Sequence, residues 1–179
     1  MTAAEILAEF PKYSALIVGD ICLDRWCTYD PGTAEPSRET GIPRVGVVST
    51  EITPGAGGTV ANNLAALGIG RVAVLGIVGD DGFGYELKKA LSGRGISPEL
   101  LVASSDVPTF TYTKLINIST GEEDRARIDF IHPRALASDL EAEILERLRA
   151  FATAFDIILV SDQAETRRGG VIKIGRAHV

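Results

Sequence analysis

The chain has 179 residues, 45% of them hydrophobic and 23% charged, with a formal net charge of −6 at pH 7. That is enough apolar material for one sizeable core, and the acidic balance excludes the clustered basic face of a nucleic-acid binder. No apolar run approaches the ~18 residues that cross a bilayer, so no membrane partner is expected. Along the chain, Thr2–Phe10 places Ile6, Leu7 and Phe10 on one face behind a threonine cap, which predicts a short helix stopped by Pro11. Its glutamates and lack of a basic n-region do not suit a signal peptide. Ala15–Val18 reads as a buried strand leading into a Gly19-Asp20 loop. Trp26–Pro54, with its prolines, glycines and the β-branched run Val45–Thr53, reads as hairpin material outside the layered pattern. Val60–Leu67 predicts a helix ended by Gly68, Val72–Val78 a second buried strand, and Gly84–Arg94 a helix with Leu87, Ala90 and Leu91 inward.

Val107–Ile118 alternates Thr109, Thr111 and Thr113 with Phe110, Tyr112 and Lys114, and Ala126–Ile131 answers it as a partner strand after a turn at Gly121. Ser138 caps a predicted helix through Phe151 with Leu140, Ile144, Leu145 and Leu148 on one face. Asp156–Val160 is a third apolar strand. Strands alternating with helices indicate an α/β fold with a parallel sheet. The two extra β segments, near 26–53 and 107–131, are expected to pair into a small separate sheet. Cys22 and Cys27 have no Cys or His partners for a zinc site, so reduced, shielded thiols in a cytoplasmic protein are the expectation.

Three stretches carry the chemistry. Gly19 and Asp24 follow the first strand, and a carboxylate there can accept hydrogen bonds from two adjacent hydroxyls. Pro54–Gly68 reads PGAGGTVANNLAALG, a glycine-rich turn entering a small-residue helix, and Gly57-Gly58 offer freedom in φ. Val78–Gly84 reads VGDDGFG, where Asp80 or Asp81 suits the N-cap of the next helix. The adjacent acids lack a third ligand, so no metal site is read here. His132, beside Pro133, reads as structural.

Together these stretches make the chain resemble the start of a ribokinase-like (phosphofructokinase-B, PfkB) family sugar kinase, over essentially residues 15–172. The resemblance implies a three-layer α/β/α, Rossmann-like core with a small β-sheet lid. It also implies transfer of the γ-phosphoryl of ATP to a sugar or sugar-phosphate hydroxyl, with ATP and Mg²⁺ as cofactors and a homodimer joined through the lid. Asp24 falls where the family binds sugar hydroxyls. Gly55 and Ala56 fall on its di-glycine hinge with Gly57 beside them as a further substrate-site candidate, Thr59 where an asparagine is usual, and Asn63 on a second asparagine. Two departures stand out: Ala56 replaces a glycine, and Thr59 offers one hydroxyl where an amide would offer donor and acceptor.

The heptose-phosphate kinases of the family are a nearby comparison. Lys114 and Arg127-Ile128-Asp129 echo their basic lid strand, and a cation there can hold an anionic substrate group. Gly121-Glu122-Glu123-Asp124 replaces their glutamine pair, so heptose phosphate itself is not assigned.

The family's catalytic aspartate lies in a Gly-Ala-Gly-Asp motif at a helix N-terminus. No such motif occurs in these 179 residues, nor does a Gly-x-x-x-x-Gly-Lys-Ser/Thr loop. No catalytic, nucleotide-binding or metal residue is therefore assigned. Residues 1–173 are expected to be the N-terminal portion of one kinase domain whose remainder is missing. Ile174–Val179 reads IGRAHV, the translation of a common sequencing-library adapter, and is set aside as an artefact. Two other readings compete: a sugar-binding module derived from the family, and a dinucleotide-binding oxidoreductase. The second lacks a Gly-x-Gly-x-x-Gly after the first strand and gives the inserted β segments no role.

Overall fold

The computed structural model describes residues 2–164, 166 and 168–172, and the segment read as adapter-encoded lies outside them. Helix α1 (Ala3–Glu9) opens with a Thr2–Glu5 capping box. Strand β1 (Ser14–Gly19) runs into β2 (Ile21–Tyr29), which returns through a long tip as β3 (Val47–Ala56). Helix α2 (Gly57–Ala66), β4 (Arg71–Leu75), β5 (Ile77–Gly79), α3 (Gly82–Ser92), β6 (Ile96–Ser97) and β7 (Val102–Ser104) follow. The chain then makes β8 (Thr111–Asn117), β9 (Ile128–Phe130), α4 (Ser138–Phe151) and β10 (Ile157–Ser161).

Two sheets organise the site. The core sheet is parallel, in the order β10-β1-β4-β6. Alternation along β1 and β4 divides its buried side chains between two faces. Ala15, Ile17, Val72 and Val74 pack with Ala61 of α2 and Leu87 and Leu91 of α3. Leu16, Val18, Ala73 and Leu75 pack on the other face with Ile144 of α4, Phe110 and Phe155. This is the three-layer α/β/α core expected from the sequence. The second sheet, β3-β2-β8-β9, is the lid: β2 and β3 are antiparallel, β2 and β8 parallel, and β8 and β9 antiparallel. Pro54 is tolerated within β3 because that strand is an edge. Among the described residues no helix is long and apolar enough to cross a membrane.

Several sequence expectations are corrected. Gly19-Asp20 is a joint rather than a loop, since β2 begins at Ile21 and Asp24 lies within a strand. Pro54-Gly55-Ala56 is the end of β3, and α2 starts three residues earlier than Val60. The strand expected over 72–78 breaks at Gly76, where a Cβ would lie 2.3 Å from the Gly19 carbonyl oxygen. Its second half pairs with β7, a short strand the sequence pattern did not announce, as β6 also was not. The α4 cap is Ala137 with no side-chain bond, so Ser138 is the first helical residue rather than the cap.

Candidate functional site

The parallel β2–β8 pairing builds the site. Its register sets Asp24 opposite Tyr112 and Trp26 opposite Lys114, and β9 adds Asp129 opposite Tyr112. Period-two alternation therefore turns Asp24, Trp26, Tyr112, Lys114 and Asp129 to one face of the lid and Arg25 and Thr113 to the other. Under the first face is an open cleft of about 420 Å³ lined by Asp24, Ala56, Tyr112, Lys114, Arg127 and Gln163. That volume suits a small ligand.

The electrostatics centre on Asp24. Burial pushes its carboxyl above the ordinary range, and the Lys114 and Arg127 cations pull the other way without cancelling that effect. Among the described residues its carboxylate makes no hydrogen bond. Gly55 leaves the space it occupies, because a Cβ there would come within 2.7 Å of the Asp24 carboxyl group. Lys114 Nζ sits 3.9 Å from the Trp26 ring centroid, and Arg127 lies 4.8 Å from that of Tyr112. Both nitrogens Arg127 offers to Asp129 are engaged, at 2.7 Å each.

The structure brings together four of the sequence-predicted residues, Asp24, Ala56, Lys114 and Arg127, and sets Gly55 against the Asp24 carboxyl. It does not bring the other three to the cleft lining. Gly57 lies at the strand–helix joint, donating its N–H to the Asp20 carbonyl at 2.8 Å. Thr59 is exposed on the first turn of α2, its hydroxyl donating to the Pro54 carbonyl at 3.3 Å, and Asn63 is exposed one turn on. The φ expectation is also corrected. Ala56 itself takes the strained conformation (φ 54°, ψ −123°), whereas Gly57 and Gly58 are helical. Those glycines serve space instead: a Cβ on Gly57 would meet Ile21 Cδ1 at 2.8 Å, and one on Gly58 would meet Pro54 at 2.7 Å.

Sequence reasoning missed Tyr112 and Gln163 as lining residues. The alternation that placed Lys114 also places Tyr112, two positions before it. Gln163 carried no signal, because it follows β10 and reaches the cleft only through tertiary folding.

The second aspartate loop has the capping role. Asp81 accepts the Gly84 N–H at 2.7 Å, and from the lid's entry segment the Thr109 N–H at 2.9 Å and hydroxyl at 2.8 Å. Burial opposes its ionisation, but these bonds and one from Phe83 outweigh burial and hold the carboxyl below its ordinary value. Behind the lid, Arg25 lies 3.4 Å from Glu86 and 4.9 Å from the Phe83 ring centroid, and Phe83 meets Phe130 edge-on at 4.9 Å.

A strand–glycine turn–helix core carrying a four-stranded lid over a polar cleft is the frame on which the comparisons fall. The profile of the pfkB family carbohydrate kinase matches residues 26–163. The chain belongs to the pfkB family of carbohydrate kinases. The bifunctional protein HldE of Geobacter sulfurreducens is 37% identical over 158 residues, which are 88% of this chain and 31% of that protein. This chain thus spans about a third of the length of such curated relatives. Among solved structures, Escherichia coli phosphofructokinase-2 in complex with fructose-6-phosphate superposes with a TM-score of 0.54 at 17% identity, covering 83% of this chain and 45% of that one. Cryptococcus neoformans ribokinase in complex with ADP gives 0.50 at 19%, covering 87% and 42%. At those identities the likeness speaks for the fold.

Proposed function

We propose that this chain is the sugar-binding portion of an ATP-dependent kinase that phosphorylates a hydroxyl of a sugar or sugar phosphate. The observation that carries the reading is Asp24: a half-buried carboxylate without a hydrogen-bond partner among the described residues, facing Lys114 and Arg127 in a cleft under the lid. Burying such a group is costly unless a ligand completes its bonds. A polyol does so by donating two adjacent hydroxyls, and Lys114 suits an anionic group at the other end of the ligand. Gly55 keeps the carboxyl in place, and the backbone at Ala56 shapes the cleft wall, anchored by the following Gly57 N–H on the Asp20 carbonyl. Thr59 and Asn63 would join only if the ligand reached over the first turns of α2. The lid closes over the sugar and excludes water from the transfer.

ATP would supply the phosphoryl group. Mg²⁺ does not fit the described residues, among which no three His, Cys, Asp or Glu side chains cluster as ligands. We place the catalytic aspartate outside these 179 residues, a reading supported by the missing Gly-Ala-Gly-Asp motif and the relatives' greater length. The chain alone would then bind sugar without phosphorylating it. A cytoplasmic homodimer joined through the lid, the assembly the sequence resemblance implies, belongs to the same proposal.

The test is ATP-dependent phosphorylation of a sugar and sugar-phosphate panel by the full-length protein and its Asp24→Ala variant. Loss of the charge-assisted bonds should cost about 2–4 kcal/mol of transition-state binding. A folded Asp24→Ala with wild-type kcat/KM would show that the sugar site is misplaced. If the full-length protein phosphorylates no sugar, the sugar-binding module favoured by Ala56 and Thr59 takes over.

A further inference from the structure

Asp20 stands outside the cleft, and its five contacts join three parts of the fold. It is 1% exposed. Its N–H donates to the Ser161 carbonyl at the end of β10 (3.1 Å), and its carbonyl accepts from Gly57 at the start of α2 (2.8 Å). The carboxylate accepts three more backbone N–H groups from the segment after β10. Gln163 (3.0 Å) and Ala164 (2.8 Å) donate to Oδ2, and Val171 (2.7 Å) donates to Oδ1. Among the described residues no cation pairs with it.

A buried carboxylate is expensive unless its hydrogen bonds are complete, and an apolar residue here would leave three backbone N–H groups without their acceptor. What the charge supplies is directed, short hydrogen bonds to a segment without helix or strand of its own among the described residues. Gly170 shows how closely that segment is drawn in. Its φ is +99°, and a Cβ there would lie 3.0 Å from Asp20 Oδ1 and 2.8 Å from the Ala164 Cβ.

Both ends of this junction reach the cleft: Gln163 lines it directly, and Gly57 follows the lining residue Ala56. We infer that Asp20 is a positioning residue for the sugar site, pinning the segment after β10 to the core–lid joint so that Gln163 and Ala56 face Asp24 at a fixed separation. The inference rests on the proposed function for the identity of the ligand and on the hydrogen bonds alone for the pinning.

The test uses Asp20→Asn in the 179-residue chain, which keeps the shape but sets an NH₂ against at least one of the three N–H groups. Amide exchange by NMR should quicken at least tenfold at Gln163, Ala164 and Val171 while Ala73 and Leu75 of β4 keep wild-type rates. Binding of hexose and heptose phosphates, titrated well below the melting temperature, should weaken about tenfold. A merely structural role would lower the melting temperature and leave Kd unchanged. Unchanged exchange at the three amides, or opened amides with wild-type Kd, overturns the inference. If Asp20→Asn does not fold, Gly170→Ala displaces the same segment from the other side, and the same two readouts decide. Should the wild-type chain bind no sugar phosphate, the ligand reading fails, and the exchange contrast still decides whether Asp20 pins the segment.

Discussion

Replacing Ala56 by glycine should stabilise this protein, although it removes a partly buried methyl group at the start of a helix. Ala56 sits at φ 54° and ψ −123°, the one non-glycine residue with positive φ among those described. Holding an L-residue in such a sparsely populated conformation costs about 1–3 kcal/mol. Against that relief stands ~0.4–1 kcal/mol for the greater freedom of glycine in the unfolded chain. A further ~0.5 kcal/mol goes with half of a buried methyl. The net gain is about 1 kcal/mol, or a rise in Tm of about 2–4 °C for a chain of this size. Gly57→Ala is the necessary contrast, because Gly57 is there for space. Its Cβ would meet Ile21 Cδ1 at 2.8 Å, the Asp20 carbonyl at 3.0 Å and Ile17 Cγ2 at 3.2 Å. Overpacking of that kind costs ~1–3 kcal/mol and outweighs the gain in helix propensity. Urea unfolding followed by circular dichroism measures both. A lower or unchanged midpoint for Ala56→Gly, or a higher one for Gly57→Ala, would refute the division of labour between strain and space.

The remaining expectations concern the aspartates and the sheet edge. Asp81→Ala should destabilise by about 2–4 kcal/mol, from the lost cap and the orphaned Thr109 N–H, which is fully buried. Because the Asp81 carboxyl is held low, its contribution is present above the unfolded carboxylate value and is lost as pH falls through the folded one. Urea midpoints of wild type and Asp81→Asn should therefore converge in acid; parallel pH curves would contradict this. Asp24 has the opposite sign: its raised folded value favours folding below the unfolded value, and that benefit disappears as pH rises through the folded one. Asp24→Asn should thus be the more stable protein at neutral pH and match wild type in acid, whereas sugar binding by wild type should weaken on acidification. Gly55→Ala should displace the Asp24 carboxyl and lower sugar affinity at least tenfold with a smaller effect on stability; calorimetric titration giving an unchanged Kd would count against the placement. Strand β10 is the sheet's edge and exposes Ile157, Ile158 and Val160, so the chain should bind 1-anilinonaphthalene-8-sulfonate (ANS) and aggregate on heating. A cooperative monomeric transition without ANS binding would argue otherwise.

The layered core was legible in the sequence because its strands are short apolar runs and its helices carry one apolar face. The lid was legible because 26–53 and 107–131 broke that rhythm with prolines, glycines and threonine alternation. Asp24 and Lys114 were singled out by their match to the family's motifs rather than by spacing alone, and the structure sets both at the cleft. What the residues could not announce depends on contacts distant in sequence. Thr59 and Asn63 matched a motif, but an α2 starting at Gly57 leaves them on its exposed side. Ala56, and not the neighbouring glycines, carries the positive φ, because the turn falls where β3 meets Asp20 rather than where glycines are densest. Asp20 and Gln163 acquire their places only when β10 lies beside β1, after more than a hundred intervening residues have folded.

The lid's central pairing also has a consequence for how the chain reaches its native state. Leu23 pairs with Thr111, so the sheet that holds Asp24 closes across 88 positions of sequence (111 minus 23), within which β3 through β7 and two helices lie. Contacts of such high order reward folding only after the intervening loop entropy has been met. The cleft is therefore expected to form late in folding. Until β8 arrives, β2 and β3 form a two-stranded ribbon, a form that is marginal by itself in water. A chain that stalls before β8 pairs with β2 presents Asp24 without Tyr112 or Lys114 beside it.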